Sequence, residues 1–192
     1  MCDRSHIFLY AKNHVLLIIS VKAKNHPLPI FSTVYFKNRL FWIAAIIGLL
    51  LDRATKFWIV QNFYLSESWP LLPGVFHLTY VINPGAAFSF FKDGGWWLRW
   101  LSLAVSAGLM AWAWLQTFIN RWQQLGYGFI LGGALGNGID RFASGSVVDF
   151  LEFRLIRFPV FNFADIFINV GIVCLLIGSF DLPSFTSKRR KN

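Results

Sequence analysis

The sequence predicts an all-α membrane protein: four transmembrane helices, with a small extracytoplasmic β-hairpin or cradle between helices 1 and 2. Three observations lead there. Hydrophobic residues make up 56% of the 192 and charged residues only 14%, whereas a soluble domain carries about a quarter of charged residues. Mean hydropathy is +0.52. Four apolar runs, 40–60, 96–118, 125–141 and 162–180, each come close to the ~20 residues that a ~30 Å hydrocarbon core requires. Nine Trp and 21 Phe suit the aromatic belts found at membrane–water interfaces.

Residues 1–38 stand apart from this pattern. The apolar run from His14 to Val21 is too short to span and is flanked by Lys12, Lys22 and Lys24. It lacks the longer apolar core and small-residue cleavage site of a secretory signal. The chain loosens at His26-Pro27-Leu28-Pro29, and the segment is expected to be a poorly ordered cytoplasmic extension. Met1 and Met110 are the only methionines, so initiation at a non-Met codon, Val34 for instance, would account for the extension. N-terminal sequencing that finds Met1 retained would end that idea.

Residues 39–182 form the membrane domain. In the first span, 40–51 is wholly apolar and is followed by Asp52, Thr55 and Lys56, which share one helical face at i, i+3 and i+4. They read first as a self-neutralising pair with Lys56 snorkelling to the interface, and second as support for a site nearby. Residues 61–95 leave the membrane. There Phe76, Leu78, Tyr80 and Ile82 alternate with His77, Thr79, Val81 and Asn83, the period-2 pattern of a strand. Asn83-Pro84-Gly85 turns the chain, and residues 86–90 are expected to return it as the second arm of the hairpin. His77 has no partner motif and reads as structural. Trp96, Trp97 and Trp100, with Arg99, open the second span as an interfacial anchor, and residues 119–124 form a polar loop. The third span holds glycines at 126, 128, 132, 133, 136 and 138, small enough for helices to pack backbone to backbone. A shorter excursion over 151–161 leads into the fourth span, and residues 183–192 are a basic cytoplasmic tail.

Four spans bring both termini to one side. Lys and Arg gather at the two ends, with Arg121 in the loop on that same side, so the positive-inside rule places the termini in the cytoplasm and both excursions outside. The net charge of +9 therefore belongs to membrane topology and anionic lipid, and no basic face for nucleic acid is present. Cys2 and Cys174 make no disulfide or metal pattern.

The chemistry gathers at the outer edge. Gly133, Asn137 and Arg141 stack at i, i+4 and i+8 with Asp140 beside them, while Asn162, Asp165 and Asn169 share a face at the start of the fourth span. At ~1.5 Å per residue, Asp165 lies about one turn below the outer interface, and Asp149 follows the third span by a few residues. Asp140 can stay ionised beside Arg141 or through hydrogen bonds from Asn137. Asp149 and Asp165 have apolar neighbours and no adjacent cation. Facing each other in low dielectric, they would share one proton and could activate a water against a peptide carbonyl. Spacing also leaves open a proton- or ion-coupled transporter and a structural polar cluster. The four His residues are remote from the acids, which argues against a zinc site, and no Gly-x-Ser-x-Gly or Cys/His arrangement occurs.

Asp52-x-x-x-Lys56, Asn83-x-Gly85-Ala86-Ala87-Phe88, Gly132-Gly133-Ala134-Leu135-Gly136-Asn137-x-x-Asp140-Arg141, Val147-Val148-Asp149-Phe150 and Phe161-Asn162-x-Ala164-Asp165 together resemble the lipoprotein signal peptidases, or signal peptidase II. The likeness runs over roughly residues 38–182, with Glu152 where Asp is expected. It implies a membrane aspartic endopeptidase of the bacterial inner membrane that cuts prolipoproteins before a diacylglyceryl-modified cysteine. Asp149 and Asp165 would be the catalytic dyad. Asn83, Gly85, Asn137, Asp140, Arg141 and Asn162 would hold the substrate backbone and the dyad, with Asp52 and Lys56 in support. The resemblance implies no metal or organic cofactor, and as partners the lipid bilayer and a diacylglyceryl-prolipoprotein. The enzyme is expected to act as a monomer.

Overall fold

A computed structural model of the chain describes residues 38–85, 96–115, 120–156 and 158–180. Among the described residues are four long helices: α1 (Arg39–Asn62), α2 (Trp97–Leu115), α3 (Arg121–Ser144) and α4 (Phe163–Phe180). Three strands accompany them, β1 (Ser68–Leu72), β2 (Phe76–Asn83) and β3 (Val147–Phe153). Of the expected extension at 1–38 only Asn38 falls among the described residues, buried and donating to the Ala113 carbonyl at 2.8 Å; the tail at 183–192 lies outside them. α2 and α4 are each long and apolar enough to cross a membrane; α1 and α3 carry charged residues in their C-terminal halves.

α3 is the helix the others are built on, packing against α1, α2 and α4. Its glycines make the approach possible. A Cβ at Gly133 would run into the carbonyl oxygen of Ala164, and one at Gly136 would occupy the space of the Asp52 carboxylate. Only hydrogen fits at either place, so glycine here determines how near the other helices come. α3 begins earlier than expected. Asn120 caps it by accepting the Gln123 N–H at 2.8 Å, which draws 121–124, expected as loop, into the helix. The same Asn120 donates to the Gly178 carbonyl at 3.2 Å, tying the start of α3 to the end of α4.

The surface element is larger than a hairpin between helices 1 and 2. It is a three-stranded antiparallel sheet in the order β1-β2-β3, and its third strand comes from the segment after α3. β2 pairs with β1 on one side (Ser68 opposite Thr79) and with β3 on the other (Val81 opposite Asp149, Asn83 opposite Val147). Residues 86–90, expected as the return arm, lie outside the described residues. Ile59 and Phe63 at the C-terminal end of α1 pack with Phe150 and Leu151 of β3, covered by Phe76, Leu78 and Tyr80 of β2. Burying such side chains contributes roughly 1.5–3 kcal/mol each, enough to seat the sheet on the helix end. His77 is buried, with Nδ1 3.3 Å from the Ser68 hydroxyl. Glu152 accepts from Arg154 and Thr79 on the same sheet; the Arg154 hydrogen bond, more than that of Thr79, holds its carboxyl below the usual range.

Candidate active site

The start of α4 joins two of the expected acids. Asn162 stands just before the helix, and its Oδ1 accepts the Asp165 N–H at 3.1 Å. Asp165 Oδ2 accepts the Asn162 N–H in return at 3.2 Å. This reciprocal capping box satisfies backbone groups that a helix N-terminus would otherwise leave open. The other Asp165 oxygen accepts from Asn137 Nδ2 of α3 at 2.9 Å.

Asn162 also reaches the sheet. Its Nδ2 donates to Asp149 Oδ1 at 2.6 Å, while Asn83 Nδ2 donates to Asp149 Oδ2 at 2.8 Å. A backbone bridge sets this up: Phe161 N–H donates to the Leu151 carbonyl at 3.0 Å and Leu151 N–H to the Phe161 carbonyl at 2.8 Å, so Asn162 follows directly beside β3. Asp149 is only 3% exposed. Burial, the largest influence, pushes its carboxyl up to about 7; the charge of Asp165 adds to the rise, and the bonds from Asn83 and Asn162 oppose it. Desolvation outweighs hydrogen bonding here because a buried carboxylate loses more hydration than two amide donors return.

Beneath the pair lies a buried ionic layer. Lys56, 1% exposed, sets its ammonium 2.9 Å from Asp52 Oδ2, 2.8 Å from Asp140 Oδ2 and 2.9 Å from Asn137 Oδ1. The expected snorkelling is therefore wrong. α1 turns Lys56 towards α3, where Asp140 and the Asp52 of its own helix flank the ammonium and the Asn137 amide oxygen accepts from it. Asp52 Oδ1 accepts the Ala164 N–H at 3.0 Å, capping α4 a second time. Asp140 differs from expectation too: it pairs with Arg53 and Lys56 of α1, not with Arg141 or Asn137. Arg141 instead donates to the carbonyls of Asn137 at 3.4 Å and Gly85 at 3.3 Å. Gly85 is itself placed by its N–H bond to Asn83 Oδ1 at 3.0 Å. Sequence reasoning missed Arg53, although its position three residues before Lys56 put it within reach of the same partners.

All ten expected residues thus fall in one connected region. Asn83, Asn137, Arg141, Asp149, Asn162 and Asp165 line an open cleft of about 200 Å³ beside 158–161. A second opening of about 310 Å³ reaches Asn137, Arg141 and Asp165 from the side, between Leu98, Leu101 and Val105 of α2 and Ile168 of α4. Among the described residues no three His, Cys, Asp or Glu side chains are grouped to hold a metal ion. What the cleft offers is two hydrogen-bonded carboxylates, amide donors and one guanidinium, the means for acid–base activation of a water.

A family profile described as Signal peptidase (SPase) II matches residues 44–181. The "Lipoprotein signal peptidase" of Cyanothece sp. is 62% identical over 160 residues, covering 81% of this chain and 92% of that protein. Its namesake from Microcystis aeruginosa is 64% identical over 148 residues, 77% of this chain and 96% of that one. Among solved structures, a bacterial membrane enzyme determined by the in meso method at 2.3 Å superposes with a TM-score of 0.68 at 25% identity, over 79% of this chain and 93% of the other. A fold shared with a membrane enzyme, identity above 60% and a family match across most of the helical region agree with one another: this chain belongs to the signal peptidase II family.

Proposed function

We propose that the protein is a membrane aspartic endopeptidase that removes the signal peptide from diacylglyceryl-modified prolipoproteins, cutting on the N-terminal side of the modified cysteine, with Asp149 and Asp165 as the dyad. Membership of the family supports protease activity on prolipoproteins. The observation that carries the dyad is Asn162, whose amide and backbone hold both carboxylates at one cleft. With Asp149 pushed up to about 7, its carboxyl is about half-protonated near neutral pH, so the protonated form needed as the acid is well populated there. The ionised member takes a proton from a cleft water, and the protonated member donates to the scissile carbonyl oxygen. The water oxygen bonds to the carbonyl carbon, and the proton then passes to the leaving amine as the C–N bond breaks. Asn83, Asn137, Asn162 and Asp140 position the backbone and the acids, Arg141 and Gly85 face the extended substrate, and Asp52 and Lys56 support them.

All four helices span the bilayer in this reading, with both termini cytoplasmic and the sheet on the outer face of a bacterial inner membrane. The charge of α1 and α3 supports this, because it is confined to helix ends or paired within the bundle. In this reading the enzyme acts as a monomer. The test is cleavage of a diacylglyceryl-modified prolipoprotein by purified wild type, Asp149→Asn and Asp165→Asn, each checked for folding. Cleavage before the modified cysteine by wild type, lost in both variants, is expected. A folded variant of either aspartate with near-normal turnover would remove it from the dyad.

A further inference from the structure

Asp140 and Arg141 are neighbours in sequence, yet the structure separates their interactions. One Asp140 oxygen is taken by Arg53 and the other by Lys56. Lys56 is a single charge shared between Asp52 and Asp140, and it also donates to Asn137. The ionic layer therefore balances as two carboxylates against two cations only if Arg53 is counted. Arg53 reaches this position from outside: its side chain is 40% exposed, whereas that of Asp140 is 8% exposed. Arg141, released from Asp140, lines both the solvent cleft and the side opening and, among the described residues, makes long bonds to two carbonyls.

We propose that Arg53 is a positioning residue of the active site: by satisfying Asp140 from α1, it leaves Arg141 free to face Asp149 and Asp165 in the cleft. The inference rests on the dyad reading and adds to it a residue that none of the recognised motifs contains. Without Arg53, Lys56 would have to balance Asp52 and Asp140 alone. A buried carboxylate oxygen would then lack a partner, which is costly, and the adjacent guanidinium of Arg141 is the cation able to turn towards it. The charged groups that act on Arg141 are Asp165 of α4, Asp149 of β3 and Asp140 on its own helix, and Asp140 is in turn paired with Arg53 and Lys56 of α1; α2 presents Leu98, Leu101 and Ser102 to the side opening, none of them titratable. Drawing Arg141 to Asp140 takes a positive charge away from the two cleft acids, and a carboxylate that loses a nearby cation ionises at higher pH.

The experiment is the pH dependence of kcat/KM for wild type, Arg53→Gln, Arg53→Lys and Arg53→Gln/Asp140→Asn on a diacylglyceryl-modified prolipoprotein. In Arg53→Gln the acidic limb is expected to move up by on the order of one pH unit. Lys at 53 keeps the limb near wild type. The double variant, which removes the anion that would attract Arg141, returns the limb to wild type whatever its rate. A loss of folding alone would lower the amplitude at every pH without moving the limb. An Arg53→Gln profile that superimposes on wild type after scaling, or a double variant that keeps the shift, overturns the proposal. If Asp149→Asn or Asp165→Asn still cleaves, the dyad reading falls separately, and the limb then reports the remaining cleft carboxylate, on which Arg53 acts by the same route.

Discussion

Replacing Lys56 with Met keeps all but the terminal atom of the unbranched side chain and removes its charge from a place where water does not reach. Asp52 and Lys56 are 0% and 1% exposed, and Asp140 is 7% exposed. Two carboxylates would then face Arg53 as their remaining partner in the ionic layer. Breaking a buried pair by deleting one member costs about 3–5 kcal/mol, because the surviving charge stays desolvated. For a chain of this size about 2–4 °C of Tm accompanies each kcal/mol, so Tm should fall by on the order of 10 °C in the same detergent. Tryptophan fluorescence during heating reads this directly. The decisive comparison is Lys56→Met/Asp52→Asn, which restores the charge balance while the new side-chain amide keeps an oxygen for the Ala164 N–H. The double variant should regain at least half of the lost Tm, a coupling that a mutant cycle isolates. If the single variant loses under about 3 °C, or the double is no better than the single, Lys56 is not the neutralising centre of this layer and the reasoning fails.

Asn162→Ala removes a helix cap and the amide shared by both acids; a cap is worth about 0.5–2 kcal/mol, so Tm should drop by a few degrees while kcat falls far more, at least about 100-fold, measured by cleavage in detergent. Asp149 ionises at about 7 in the folded protein against an ordinary 3.8, so the folded state holds more protons between those values. Its contribution to stability is complete below about pH 4 and is lost as pH rises through about 7. Asp149→Asn should therefore flatten the fall in Tm across that window and leave the variant the more stable protein at pH 8. Gly133→Val should prevent α4 from docking, since even a Cβ there meets the Ala164 carbonyl; Gly108→Ala on α2, with nothing within 4 Å, should be neutral or stabilise by up to about 1 kcal/mol. Size-exclusion profiles and Tm of the two purified variants separate them.

Much of the site was readable because it obeys helical and strand periodicity. Asn137 with Arg141, and Asn162 with Asp165, sit at spacings that put them on one face whatever the tertiary fold, and both pairs do lie at adjoining helix ends. Lys56 was harder. Its spacing from Asp52 was plain, but whether the pair points to lipid or inward depends on how closely α1 approaches α3, which the glycines at 132 and 136 decide from another helix. Arg53 was missed for the same reason, and Asp140 was assigned to its neighbour Arg141 because sequence adjacency stood in for contact. In the sheet, β2 announced itself by alternation. β1 did not, with Pro70 at its centre, and Val147-Val148-Asp149-Phe150 drew notice as a motif although it is also the start of the strand that completes the sheet. Pairing between strands separated by about two helices is a property of the assembled fold, and no local pattern encodes it.

The double use of Asn162 has a consequence for biogenesis. The residue that starts the last helix is the one that gathers both acids, and Asp52 of the first helix caps that same turn. Until α4 has closed against the other helices, Asp149 and Asp165 belong to separate pieces of chain, and the proposed dyad cannot form before the bundle is complete. On the dyad proposed above, a nascent or clipped polypeptide lacking α4 would lack Asp165 and could not assemble the site. Maturation and quality control would then be a single event, read out by whether one asparagine has found its place.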